Sequence, residues 1–105
     1  MPGIFPGRVA YASVSYPAPG APVIVAQSGD FSAVAGAGGI VQLDFHPDAQ
    51  IDPTEGFACG IIRNNAGMIS VRGWNDTAIN LRTTQAGGAD AELAFDIIIL
   101  VRPTV

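Results

Sequence analysis

Short runs of alternating apolar and polar residues, separated by turn residues, make up most of this chain. In the clearest run, Val41, Leu43 and Phe45 alternate with Gln42 and Asp44. A period of two buries one face of a strand and leaves the other face to solvent. Glycine and proline interrupt every window that would otherwise keep a helical apolar spacing. The sequence predicts about eight short strands, over residues 7–16, 23–27, 31–35, 41–45, 57–63, 68–74, 77–84 and 91–102.

Two of these predictions concern pairing. The segment 64–67, Asn-Asn-Ala-Gly, has the composition of a tight turn, so the strands on either side of it are predicted to form a hairpin. The last strand is apolar on one face through Phe95, Ile97 and Ile99, and on the other through Ile98 and Leu100. It is therefore predicted to run through the middle of a sheet or of an oligomer core.

Strands of this length and spacing are typical of β-sandwiches and jelly rolls. A length of 105 residues suits one domain. We therefore predict an all-β protein, a single antiparallel β-sandwich or jelly roll over residues 7–105. Residues 1–6, which include the apolar pair Ile4 and Phe5, are predicted to form a short N-terminal arm.

Charge narrows the list of partners. All five positive charges are arginines, and the net charge is -4. Nucleic acid is an unsuitable partner because the chain cannot build a clustered positive surface. No apolar run reaches the roughly 18 residues of a membrane span, and the N-terminus lacks the basic region of a signal peptide. Low charge without lysine favours a surface covered by other subunits, as in an obligate homo-oligomer.

Candidate catalytic groups are sparse. The only histidine, His46, lies in a loop, and the only cysteine, Cys59, lies in an apolar strand where it is predicted to be buried and inert. Neither is placed beside a nucleophile or base, so no enzyme and no cofactor are expected. A calcium site remains an alternative to a solvated loop for four nearby carboxylates. They belong to Asp44, Asp48, Asp52 and Glu55.

Aromatic and aliphatic residues are the better candidates for a functional surface. Tyr11, Tyr16 and Trp74 are expected to pack in the core or at a subunit interface, with stacking on a carbohydrate as the alternative. The residues predicted to lie at an oligomer or capsid interface are Ile4, Phe5, Tyr11, Trp74, Ile97 and Ile99.

Four short motifs resemble those of small β-sandwich proteins of bacteriophage virions. They are the segments 7–9 (Gly-Arg-Val), 29–32 (Gly-Asp-Phe-Ser), 39–43 (Gly-Ile-Val-Gln-Leu) and 89–97 (Ala-Asp-Ala-Glu-Leu-Ala-Phe-Asp-Ile). The similar families are capsid decoration (cement) proteins and tail-fibre tips, and more distantly the C1q-like jelly roll. One departure is Val41, where the fibre pattern usually has tyrosine. The resemblance implies a homotrimer, a major capsid protein or other virion protein as partner, and no catalytic residues.

The expectation is therefore a non-enzymatic capsid decoration protein, assembled in the host cytoplasm and located in the virion. The alternative is a receptor- or glycan-binding module such as a tail-fibre tip. A fibre tip normally follows a long trunk, whereas this chain starts with Met1 and is spanned by one domain, which favours decoration.

Overall fold

A computed structural model describes residues 8–49, 56–63 and 65–101 of the chain. Within those ranges the protein is all-β: it has eight antiparallel strands and no helix, which confirms the predicted β-sandwich. The strands are β1 Arg8–Ala18, β2 Ala21–Gln27, β3 Phe31–Ala37, β4 Ile40–Phe45, β5 Gly56–Ile62, β6 Gly67–Trp74, β7 Ala78–Gln85 and β8 Phe95–Val101.

The strands form two four-stranded sheets that pack face to face. The first sheet has the order β2-β1-β8-β5, and the second sheet has the order β3-β4-β7-β6. Sequence neighbours pair as hairpins in β1–β2, β3–β4 and β6–β7, while β8 lies between β1 and β5. The central position predicted for the last strand is therefore confirmed. The edge strands are β2 and β5 in the first sheet, and β3 and β6 in the second.

The predicted hairpin around residues 64–67 is wrong. β5 pairs with β8, where Cys59 lies opposite Ile98, and β6 pairs with β7, where Ile69 lies opposite Thr83. The connection from β5 to β6 therefore crosses between the sheets. Turn residues reverse the chain direction, but they do not decide whether the two strands share a ladder or face each other across a sandwich.

The core lies between the inner faces of the two sheets. The first sheet contributes Val14, Phe95, Ile97 and Ile99, all at most 1% exposed, against Val41, Leu43, Ile79 and Leu81 of the second sheet, all fully buried. Phe31 and Phe45 close one end, with ring centroids 5.5 Å apart. Along β4, core residues alternate with more exposed ones as a two-layer sandwich requires.

The last strand begins later than predicted, at Phe95 rather than at residue 91. Residues 91–94 cross from the second sheet to the first, and the Ala91 amide donates to the Thr83 carbonyl along the way. The carboxylate of Glu92 on this crossing accepts hydrogen bonds from the amides of Gly20 and Gly38, at 3.0 and 2.9 Å. It thereby joins the β1–β2 turn of one sheet to the β3–β4 turn of the other.

Candidate assembly surface

The first sheet has an unusual division between its two faces. On β1, the small residues Ala10 and Ala12 face the core and are fully buried, while the larger Val9 and Tyr11 point outward and are 49% and 42% exposed. A sheet with one solvated face normally turns its bulky apolar residues inward and its polar residues outward. The outer face of this sheet does not follow that rule.

The same division continues across the neighbouring strands. Tyr11 of β1 lies opposite Ile98 of β8, and Ile98 lies opposite Cys59 of β5. On β5, Ala58 and Gly60 lie on the inner face of the sheet and alternate with the outward side chains. The outward apolar residues of the three strands are called the apolar face below. They are Val9, Tyr11, Phe57, Cys59, Ile61, Ile98 and Leu100.

A small polar cluster lies next to the apolar face. The Ser13 hydroxyl donates to Oδ1 of Asp96 at 2.6 Å, and Nε of Arg63 lies 3.3 Å from the same oxygen. Nη2 of Arg63 also donates to the Val14 carbonyl at 3.2 Å. The carboxylate is thus paired within its own chain, so this end of the face presents no uncompensated charge to a partner.

The outer face of the second sheet is mainly polar by contrast. Its rows carry Gln42, Asp44, Asn80 and Arg82, with Ser70 on the neighbouring edge strand, and the apolar Ile40 and Met68 lie among them. The Gln42 amide donates to Asp44 at 2.7 Å, and Nε of Arg82 donates to Asp90 at 2.6 Å. The outer face of one sheet is therefore mainly polar, whereas the outer face of the other is largely apolar.

Two concave regions adjoin the apolar face. A shallow depression of about 310 Å³ is lined by Val9, Tyr11, Ser13, Asp96 and Ile98, among others. It brings an exposed aromatic ring close to a hydroxyl and a carboxylate, on an otherwise apolar surface.

The second region is a groove of about 430 Å³ where the edge strands β5 and β6 come together. It is lined by Gly60, Ile61, Met68 and Ile69, and Met68 is 60% exposed. A Cβ on Gly60 would lie 2.7 Å from Cγ2 of Ile69, so only glycine allows β6 to approach β5 this closely.

The structure separates the residues predicted to form an interface. Tyr11 lies on the apolar face, opposite Ile98 of the central strand β8. Trp74 is half-buried and packs against the core from the second sheet. Ile4 and Phe5, with the whole predicted arm, lie outside the described residues.

Ile97 and Ile99 do not lie at a surface. They face the core and are 1% and 0% exposed, so a partner cannot reach them in this fold. β8 is apolar on both faces, and the sequence alone did not decide which face turned inward. The outward side chains of the strand are those of Ile98 and Leu100.

Three members of the apolar face lie on β5 and were not among the residues predicted to form an interface. Phe57 and Ile61 are 57% and 59% exposed, and Cys59, predicted to be buried, is exposed. The alternation itself was visible, because the larger Phe57, Cys59 and Ile61 alternate with Ala58 and Gly60, but alternation alone does not decide which set faces the core.

The titratable groups make no recognisable catalytic or metal site in the described part of the chain. Nδ1 of the exposed His46 accepts a hydrogen bond from the Asp48 amide at 3.1 Å. No three His, Cys, Asp or Glu side chains converge among the described residues, and Asp52 and Glu55 lie outside them. Burial raises the pKa of Tyr16 from 10.0 to about 12, and the nearby Glu92 carboxylate adds to the rise.

Comparison with protein-family models, with curated proteins and with solved structures finds no match to this chain. No helix in the described ranges is long and apolar enough to span a membrane.

Proposed function

We propose that this chain is a non-enzymatic structural protein that assembles through its apolar face, and that it decorates and stabilises a phage capsid. The observation that carries the proposal is the contrast between the outer faces of the two sheets. One is mainly polar, with Gln42 bonded to Asp44 and Arg82 to Asp90; the other exposes aromatic and aliphatic side chains in cross-strand rows.

The size of the apolar face supports an assembly role. Tyr11 and Phe57 are 42% and 57% exposed. At about 150–250 Å² for a whole aromatic side chain, these two alone present about 200 Å². The aliphatic neighbours bring the face to a few hundred Å², the size of the largest apolar patch on a typical monomer, which is often functional.

The capsid as the place of assembly is supported by the resemblance to small phage virion proteins and by composition. Charged residues make up only 13% of the chain, which suits a protein whose surface is partly covered. The apolar segment 1–6 extends the same argument, because Ile4 and Phe5 would gain from contact with a neighbouring subunit.

The test is binding of the purified chain to capsid shells of the encoding virus assembled without it, measured by co-sedimentation. Tyr11→Glu places a charge on the apolar face and should weaken binding at least tenfold, because burying an unpaired carboxylate is costly. Asn80→Glu, on the polar face, is the matched control and should bind as the wild type does. Deletion of residues 1–6 tests the arm in the same assay and should also weaken binding.

Equal binding by the Tyr11→Glu and Asn80→Glu variants would remove the apolar face from the proposal. Failure of the wild type to bind the shells at all would remove capsid decoration as the function.

A glycan-binding module is the second candidate, favoured by the depression that holds Tyr11, Ser13 and Asp96. An exposed ring beside polar groups is the chemistry with which proteins stack on and hydrogen-bond a sugar. A glycan array distinguishes the two functions: saccharide binding that Tyr11→Ala abolishes would favour this candidate over decoration.

A further inference from the structure

The four edge strands of the sandwich differ in how well they are protected from pairing with another chain. An exposed edge presents unpaired backbone N–H and C=O groups, and proteins blunt such edges with bulges, prolines and charges. β2 contains Pro22, and its register with β1 shifts twice; β3 shifts once against β4, and β6 shifts once against β7 beside Arg72. Three of the four edges are thus interrupted.

β5 is the exception. Its seven residues pair with β8 without a shift, from Gly56 opposite Val101 to Ile62 opposite Phe95. The strand contains no charge and no proline. Within the described part of the chain it forms its ladder with β8 alone, which leaves its other edge open. A straight, apolar, unprotected edge is a template for a further strand.

We propose that β5 of one copy of this chain pairs antiparallel with β5 of a second copy, joining their first sheets into one eight-stranded sheet. The inference rests on the proposed assembly function and names its partner. A two-fold axis through the middle of β5 places Phe57 of each copy opposite Ile61 of the other. The apolar faces of both copies then become continuous.

The second copy is favoured over an unrelated strand because the surface is complementary to itself. An isologous contact brings each residue near its own two-fold equivalent, so a charge there would meet a like charge. β5 carries none, and Asp96 in the row beside Ile61 is paired with Arg63 of its own chain. A groove lined by Gly60, Ile61 and Met68 runs beside this edge.

Cys59 provides a direct test, because it is the only cysteine and the central residue of β5. In the proposed pair the two Cys59 Cα atoms are opposite each other, at about 4.5–5.5 Å. Disulfides form across Cα separations of about 4.4–6.8 Å. Mild oxidation should therefore convert most of the protein to a covalent dimer on a non-reducing gel. Light scattering before oxidation should give twice the chain mass of 10.8 kDa.

The matched control moves the thiol to another exposed strand position. The double variant Cys59→Ser, Ser70→Cys carries its cysteine on the outer face of β6 and should remain monomeric on the same gel. Ile61→Lys protects the β5 edge with a charge and should halve the mass in solution. Val25→Lys is the control, because Val25 is 57% exposed on β2, the opposite edge strand of the same sheet. This variant should leave the mass in solution unchanged.

A trimer, equal cross-linking of the Ser70→Cys control, or an unchanged mass in Ile61→Lys would overturn the two-fold pairing. Shell binding separates this inference from the function it rests on. If the chain is a monomer or a trimer and still binds shells, the β5 pairing is wrong and capsid decoration is supported. If it forms the cross-linked dimer but does not bind shells, the β5 pairing is supported and capsid decoration is wrong.

Discussion

At the scale of single residues, adjacent positions on one strand have opposite roles. Ile99 faces the core and is fully buried, whereas Ile98 is 40% exposed on the apolar face. Both are isoleucine, and both lie between the same two neighbouring strands. Their difference comes only from the alternation of a strand, so they form a matched pair for separating folding from assembly.

Ile99→Ala should lower the free energy of unfolding by about 2–5 kcal/mol, because it leaves a cavity between the sheets. Ile98→Ala should cost about 1 kcal/mol or less, since that side chain is already partly solvated. Urea denaturation at one fixed protein concentration measures both. Similar losses in the two variants would contradict the assignment of the faces of β8.

Tyr16 gives the chain a specific sensitivity to high pH. Burial and the Glu92 carboxylate raise its pKa to about 12, from 10.0 in an unfolded chain. The fold favours the neutral phenol, so this contribution to stability is fully present below pH 10 and is lost as the pH rises towards 12. The chain has no lysine, and so no lysine titration overlaps this window.

Tyr16→Phe should therefore flatten the fall in unfolding free energy between about pH 10 and 12. Chemical denaturation at several pH values in that range measures the slope. If the unfolding free energy of Tyr16→Phe falls as steeply with pH as that of the wild type, the loss of stability at high pH arises elsewhere in the molecule.

At the scale of elements, the sequence was informative about where strands lie and less informative about which strands pair. The predicted starts at Phe31 and Phe57 and the predicted end at Trp74 agree with β3, β5 and β6 to within one residue. Aromatic and β-branched alternation between turn residues is a local signal. Pairing depends on residues far apart in sequence, as when Gly56 meets Val101, and the local turn after β5 indicated the wrong partner.

The orientation of a strand was the second limit. β1 is apolar at both Ala10 and Tyr11, and β5 is apolar at both Ala58 and Phe57. Counting the apolar residues on each face of these strands therefore does not identify the inner face. Size selects it: two alanine- and glycine-rich inner rows allow the large core residues of β8 to fit between the sheets. The same choice turns the bulky apolar residues outward and creates the apolar face.

At the scale of the whole molecule, assembly should appear as a dependence of thermal stability on protein concentration. A second copy that binds only the folded chain stabilises it by mass action. For a dimer of this size, a tenfold rise in concentration should raise the melting temperature by about 3–6 °C. Circular dichroism melts over two decades of concentration measure the shift. Ile61→Lys, with its β5 edge blocked, should melt at one temperature throughout.

Salt provides the complementary measurement, because each chain carries a net charge of -4 while the proposed contact itself is neutral. Two copies therefore repel at long range and attract by apolar contact at short range. Moving from about 0.01 M to 0.15 M salt shortens the screening length from roughly 30 to 8 Å. The concentration of half-dissociation should fall as a result. A contact held by ion pairs between copies would respond in the opposite direction, and a rise in that concentration with salt would contradict a neutral β5 interface.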